Sequence, residues 1–507
     1  MNWAFSQPWS LSQFVGVFWP ALILLGAGLL GLLTVFLPKE RRLGAAAGIA
    51  GLGFLAAALA FFQKWQAGEG ASLGLLLSDP YANFFALLIS LIGFGTTLFS
   101  FSYWKAQEEA LLEAFSLILF AAFGMVTMVM TTHLVTFVFG LEIMSLSLYV
   151  LVGLRRHDPR SGEAAFKYFL LGSVATAFLL FGVSLLYGAT GTLDWAKFSS
   201  DLVQPELGTF FKLGALLVLL GFAFKVAAAP FHFWAPDAYD GAPMPVTGFM
   251  AAGVKVAAFG ALLRVVAALT VREEIPLAKW LVALSLATMV VGNLTALRQG
   301  HLKRLMAYSS IAHAGYLLLG VATLPGGAGF SAHTLSPVLF YLAVYSLLTL
   351  GVFAVLTMLS SQGEEINRLA DLDGLAERRP VLAAALSVFL ISLAGIPPSA
   401  GFLAKYYLFS QAMKVGLYLP AILGILTSAV SLYYYLGPVV RMYFHVPQPR
   451  ADFAPGGRFR ALTLAFMVAL VFYLGLVPGS VLQSIRSTEW RMPATDMARD
   501  ISLFISY

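Results

Sequence analysis

The sequence predicts an all-α integral membrane protein of about fourteen transmembrane helices, arranged as two inverted five-helix repeats (helices 4–8 and 9–13) with helices 7 and 12 broken. Three observations predict it. Of 507 residues, 59% are apolar and 11% charged, where an average soluble domain carries roughly 25% charged residues. Apolar stretches recur from Val15 to Pro478 with little between them, each near the roughly 20 residues that span a bilayer core. Two of those stretches, five spans apart, are interrupted by proline.

Apolar runs read against charged or Pro/Gly breaks place the elements in order. Span 1 covers 14–37; with no basic segment ahead of it and no small-residue cleavage site near its end, it reads as a retained helix and not a signal peptide. Spans 2 and 3 cover 43–62 and 81–104, so residues 1–109 hold three helices. Spans 4 to 8 cover 111–130, 133–154, 164–188, 209–233 and 245–270, a first repeat over 110–270. Spans 9 to 13 cover 277–297, 303–323, 334–360, 380–412 and 418–443, a second repeat over 271–443. Span 14, at 459–479, and a tail complete 444–507 as part of one integral membrane domain.

In span 7 the run Gly221 to Pro245 contains Pro230, which deprives the Val226 carbonyl of its helical partner. In span 12 Pro397 and Pro398 do the same to Leu393 and Ala394. Unpaired backbone at membrane depth is tolerated only inside protein or beside water, and paired interruptions suggest the inverted repeats of secondary transporters.

Basic residues test the count. Loops after odd spans hold Arg41, Arg42, Lys105, Arg155, Arg156, Arg298, Arg304, Arg378, Arg379 and Arg450 among others, whereas even loops hold only Lys64, Lys197, Lys212, Arg272, Lys279 and Lys414. By the positive-inside rule the odd loops are cytoplasmic and both termini periplasmic. The net charge of +6 is thereby explained by helix orientation, and nucleic-acid binding is not expected. The absence of cysteine excludes disulfides and thiolate ligation of iron–sulfur clusters by this chain. No Gly-rich phosphate loop follows a strand, and the histidines lack metal-ligand spacing.

Of the 25 acidic residues, only Glu142 falls near a helix centre. Three lysines lie inside spans: Lys225 beside the first break, Lys255 midway along span 8, and Lys405 seven residues past Pro398. Arg264 sits close enough to the outer end of span 8 to snorkel. A central charge costs about 2.5 to 3.5 kcal/mol even on lenient insertion scales, so four such residues imply function or mutual compensation. A single Glu–Lys pair that pins two helices is the bland alternative, but one carboxylate does not neutralise three lysines. A lysine brought from its ordinary pKa of about 10.4 to near neutrality takes up and releases protons.

Span 10 carries Ser309, His313 and Tyr316 at spacings of four and three, a polar stripe on one face. His313 reads equally as a proton relay or as a hydrogen-bonded interhelical histidine. His232, beside the first break, is a weaker candidate for either role. Tyr433, Tyr434 and Tyr435 read as packing and interfacial residues.

Long blocks of this sequence resemble one family. LEIMSLSLYVLVGLRR (141–156), FKVAAAPFHFWAPDAYDGAPMPVT (224–247), GNLTALRQGHLKRLMAYSSIAHAGYLLLG (292–320) and GIPPSAGFLAKYYLF (395–409) are similar to the subunit N (mitochondrial subunit 2) family of respiratory complex I. The likeness is strong over about 110–440. Lys405, where subunit M has a glutamate, and the PDAYDGAP block favour N over subunits L and M and the Mrp-type antiporters. The resemblance implies an antiporter-like, proton-translocating membrane-arm subunit of NADH:quinone oxidoreductase in a bacterial inner membrane. It implies a proton path through Glu142, Lys225, Lys255 and Lys405, with pairing of Glu142 and Lys225 as a switch. NADH, FMN, iron–sulfur clusters and quinone are expected on other subunits, and the expected partners are M-like, L-like and K, J, A and H types of membrane subunit together with lipid. The alternative is an Mrp-type cation/proton antiporter subunit.

Overall fold

The computed structural model describes residues 11–68, 70–73, 75–106, 112–198, 207–270, 275–324, 330–360, 365–447 and 457–487. Both chain ends, Arg272 and Arg450 lie outside the described residues.

The chain opens with α1 (Leu11–Leu33) and α2 (Lys39–Ala67), joined at the far end of α2 to α3 (Pro80–Lys105) through a small hairpin, β1 (Ala71–Leu73) and β2 (Leu76–Ser78). Asp79 starts α3: its Oδ1 accepts from the Ala82 N–H at 2.7 Å and Pro80 takes the first helical position. α4 (Glu113–Val129) and α5 (Leu134–Val152) pack as an antiparallel pair. α6 (Pro159–Thr190) repeats the Asp–Pro start with Asp158.

Span 7 is broken, as its sequence predicts. α7 (Gly208–Lys225) stops at Lys225, irregular turns run to Phe233, and α8 (Trp234–Gly241) follows. α9 (Met244–Phe249), a π turn (Met250–Val254) and α10 (Lys255–Leu269) form one continuous rod. The π turn was not foreseen; it ends immediately before Lys255, and such turns occur frequently at functional sites.

α11 (Leu277–Ala296), α12 (Leu302–Ala322) and α13 (Ala332–Leu359) come next, then the short α14 (Leu375–Arg378). The twelfth span is α15 (Pro380–Ala394) and α16 (Ala400–Lys414), separated by the Gly395–Ser399 break. Gly395 ends α15 at φ 90°, where a Cβ would stand 3.0 Å from Lys405 Cδ, so the break needs glycine twice over. α17 (Tyr418–Phe444), α18 (Arg458–Leu476) and α19 (Gly479–Ser487) complete the described chain.

Twelve helices among the described residues are long and apolar enough to cross a bilayer. The two remaining expected spans are represented by the shorter apolar helices α4 and α15, so length alone supports twelve crossings. Burial sorts the bundle radially. Every residue from Gly241 to Leu269 is buried, and α12 and α13 are nearly so. By contrast α6, α17 and α18 expose large apolar side chains such as Phe178, Phe181, Ile425 and Phe466. A helix apolar on its outward face is stable there only against acyl chains or another membrane protein.

The two halves share a register. His133 precedes α5 and His301 precedes α12, each in an isolated antiparallel bridge, and the positions differ by 168. Pro230 and Pro398 of the two breaks also differ by 168. Gly124 lets α4 close on Met144 of α5, and Gly292 lets α11 close on Ala312 of α12, again 168 apart for both partners. In each crossing an added Cβ would lie 2.5 Å from a backbone nitrogen of the facing helix.

Candidate functional site

Lys225, the last residue of α7, is 3% exposed. Its Nζ donates to Ser145 Oγ on α5 at 2.8 Å and lies 5.9 Å from the Tyr149 ring centroid. Glu142 is half-buried on the same helix as Ser145, three residues earlier, and its Oε1 accepts from Thr176 Oγ1 of α6 at 2.9 Å. Among the described residues no ion pair joins Glu142 to Lys225; Lys225 bonds Ser145 of the helix that carries Glu142 instead.

Lys255 opens α10, is 3% exposed, and donates to the Ser310 carbonyl of α12. Around Ser310 the hydroxyls converge. Tyr345 of α13 donates to Ser310 Oγ at 3.1 Å, and Tyr239 of α8 lies 3.3 Å from the same oxygen. Lys255 Nζ is 5.1 Å from the Tyr345 ring centroid, and that ring lies 5.0 Å from His313. Both His313 nitrogens are bonded: Nδ1 to Tyr341 Oη at 2.7 Å and Nε2 to Tyr435 Oη at 3.0 Å. Tyr435 also bonds Ser309. A void of ≈ 10 Å³ lined by His313, Tyr341, Tyr345, Ser392 and Lys405 separates the histidine from the last lysine. About 10 to 15 Å³ of such space is the least that accommodates one water.

Lys405 sits in the elbow of the second break. Its Nζ donates to the Ala394 carbonyl at the end of α15 at 2.9 Å and to Ser428 Oγ of α17 at 2.8 Å. The negative end of the α15 dipole thus faces the ammonium. On its other side Lys405 reaches a cavity of ≈ 620 Å³ that opens between Tyr406, Met413 and Ile425, all exposed on the perimeter.

The sequence-selected residues therefore fall into two groups. Lys255, His313 and Lys405 share one polar seam, and Glu142 with Lys225 forms a second cluster. Among the described residues no continuous hydrogen-bond chain joins Lys225 to Lys255. His232 is buried but outside both groups; its ring contacts Phe233 and Tyr308, and its Nδ1 has no hydrogen-bond partner among the described residues.

Two expectations are corrected. Arg264 does not snorkel: it is fully buried, its Nη2 pairs with Asp79 Oδ1 at 2.6 Å, and its Nε donates to the Val129 carbonyl at 3.2 Å. Its partner is 185 positions away in sequence, and with both charges taken out of water, removing either one would leave the other buried and unpaired. Tyr434 and Tyr435 are not mere packing. Tyr435 is fully buried in the seam, and Tyr434 donates to Asn293 Oδ1 at 3.0 Å, while Tyr433, midway along α17, is 74% exposed. In the stripe on α12, Tyr316 accepts from Asn293 Nδ2 at 2.9 Å.

A further cluster went unseen. Glu365, in the stretch after α13, is buried against Lys303 at 2.5 Å and Arg155 at 3.3 Å. Burial opposes its ionisation, but the two cations outweigh burial and hold its carboxyl below the ordinary range. Asp237 of α8 is held below its ordinary range in the same way, its burial overcome by Lys167 at 3.0 Å and Arg304 at 2.8 Å.

Residues 131–431 match the family described as NADH:quinone oxidoreductase/Mrp antiporter, TM. The chain is similar to the NADH-quinone oxidoreductase subunit N of Trichlorobacter lovleyi, 42% identical over 476 residues, which cover 92% of this chain and 96% of that one. It is similar to a chain of respiratory complex I from Thermus thermophilus, solved with bound Aureothin, at 36% identity and TM-score 0.78, covering 92% of this chain and 99% of that one. It shares its fold with a chain of the Mrp complex from Dietzia sp., at 23% identity and TM-score 0.80, covering 98% and 99%.

Proposed function

Because this chain belongs to the NADH:quinone oxidoreductase/Mrp antiporter transmembrane family, on its subunit N branch, we propose that it moves protons through the seam that runs from Lys255 past His313 to Lys405. It is a multi-pass, proton-translocating membrane-arm subunit of an NADH-quinone oxidoreductase and works beside other membrane-arm subunits. Its neighbours would be the M-like, L-like and smaller K, J, A and H types, with NADH, FMN, iron–sulfur clusters and quinone held on other chains. The odd loops would face a bacterial cytoplasm and the termini the periplasm.

One observation carries the reading: three buried lysines each donate to a serine, and one of them, Lys405, shares a void with room for about one water with His313. An ammonium at Lys255 has the Ser310 carbonyl as acceptor and the Ser310 and Tyr345 hydroxyls beside it; the Tyr345 ring packs 5.0 Å from His313, which the Tyr435 hydroxyl joins to Ser309. His313 accepts a proton on one nitrogen and releases one from the other, since each faces a tyrosine hydroxyl. A water between His313 and Lys405 completes the transfer. Glu142 acts as the control. When it approaches Lys225 the ammonium is held; in the described conformation Lys225 turns to Ser145 and Glu142 to Thr176, the arrangement in which the proton is free to leave. Moving one charge against 100 mV takes about 2.3 kcal/mol, within reach of making or breaking one buried ion pair.

The common offset of 168 between paired bridges, breaks and helix crossings supports two repeats, 110–270 and 271–443, within fourteen crossings. The test is Lys255→Met and Glu142→Gln in assembled complex in inverted membrane vesicles, with protons moved per electron as the readout. Both substitutions lower that ratio; unchanged pumping overturns the assignment. Sodium-dependent proton flux by the isolated chain would favour the Mrp-type alternative.

A further inference from the structure

Between α8 and α9 the backbone turns at Asp240–Met244, and this short turn sets where the rod carrying Lys255 begins. Three of its carbonyls and one of its N–H groups are served by residues of other elements. Lys303 Nζ donates to the Ala242 carbonyl at 2.7 Å and the Asp240 carbonyl at 3.2 Å. Arg155 Nη2 donates to the Gly241 carbonyl at 3.0 Å. The Met244 N–H donates to Glu365 Oε1 at 2.7 Å, and Tyr103 Oη donates to the same oxygen at 2.7 Å. Glu365 Oε2 faces both Lys303 and Arg155.

We infer that Glu365 is a positioning residue for proton transfer: its buried carboxylate fixes the Asp240–Met244 turn and thereby sets Lys255 against Ser310. The geometry is that of a ladder with two rungs. One upright is the rod from Met244 to Lys255, roughly 16 Å of helix. The other is α12, on which Lys303 and Ser310 are seven residues apart and share a face. Glu365 makes the lower rung, holding Met244 and Lys303 together. Lys255 bonded to the Ser310 carbonyl makes the upper rung.

The charge is essential to the lower rung. Lys303 and Arg155 orient on the turn's carbonyls only while the carboxylate balances them; Lys303 is fully buried and has no water to turn to. A glutamine at 365 keeps an acceptor for Tyr103 and Met244 but leaves two cations facing an uncharged amide. The turn then opens, and the start of the rod shifts relative to α12. Arg155 follows α5, the helix of Glu142, and Lys303 begins the helix of His313, so one carboxylate ties both proton groups to the same backbone turn.

This inference rests on the transport reading above, and its test separates the two. The chain is free of cysteine, so Ala242→Cys places one thiol on this subunit at a buried position of the turn. In whole complex in membranes, a membrane-permeant maleimide labels that thiol slowly; adding Glu365→Gln raises the rate at least tenfold, and Glu365→Asp brings back at least half of the protection. In parallel, Glu365→Gln lowers the protons moved per electron as far as Lys255→Met does, with Glu365→Asp intermediate. Unaltered labelling overturns the inference, and so does a normal proton ratio in Glu365→Gln complex when Lys255→Met is impaired. If Lys255→Met is itself normal, the transport reading fails and labelling alone decides the role of Glu365. Should Glu365→Gln not assemble, Tyr103→Phe removes one donor from Oε1 without altering charge; a labelling rate unchanged by it overturns the inference, and a severalfold rise supports it.

Discussion

Tyr435 shows how much a single hydroxyl can hold. It bonds Ser309 and His313 at once, so Tyr435→Phe strands a buried histidine nitrogen, a loss of about 1 to 3 kcal/mol. Proton pumping falls in that variant with assembly preserved, whereas Tyr433→Phe, on an exposed side chain, pumps normally; vesicle acidification distinguishes them. The two depressed carboxyls give a pH dependence with a definite sign. Groups whose folded pKa is lowered contribute stability above their unfolded value, about 4.3 for Glu, and lose it as pH falls through the folded value. Thermal stability in detergent is therefore flat from about pH 7 to 5 and declines below about pH 4, less so in Glu365→Gln. The lysines were legible because a charge inside an apolar run is visible in one dimension. Glu365, Asp79 and Tyr435 were not, because what makes them buried and bonded is a partner 62 to 185 positions away: Lys303, Arg264 or Ser309. Nothing local distinguishes a loop glutamate that folds inward from one left in water, and three successive tyrosines give no sign of which rings turn to the core.

At the scale of elements, the proline breaks were readable because proline removes a donor wherever it falls, and the structure bends at both. The π turn before Lys255 was not, since Met250–Val254 is composed as any apolar helix would be. The helix pairs depend on close crossings. A side chain at Gly124 or Gly292 meets backbone of the facing helix, which does not yield as a flexible side-chain tip would. Gly124→Val and Gly292→Val each destabilise the bundle by roughly 1 to 3 kcal/mol or more through overpacking. The amount of assembled complex recovered in mild detergent falls for both, and for Gly188→Val, whose glycine has open space around it, it does not.

For the molecule as a whole, radial burial and the loop charges together define an axis and an outside. His157 lies in an odd loop and Lys414 in an even one, and both are exposed. In this cysteine-free chain, His157→Cys reacts with an impermeant maleimide only from the cytoplasmic side and Lys414→Cys only from the periplasmic side. Labelling of both from one side would require a different number of crossings between them. The fold class and the seam's charged members were readable from composition and placement, while the join between halves needed three dimensions. The narrowness of the gap between His313 and Lys405 has a consequence for selectivity. If the proposed path runs through this void, room for about one water makes it a sieve: a sodium ion would have to shed nearly its whole hydration shell to enter beside Lys405. A proton needs no room of its own, because it hops between oxygen and nitrogen lone pairs, so on the proposed path such a constriction would favour protons over alkali cations without any dedicated filter.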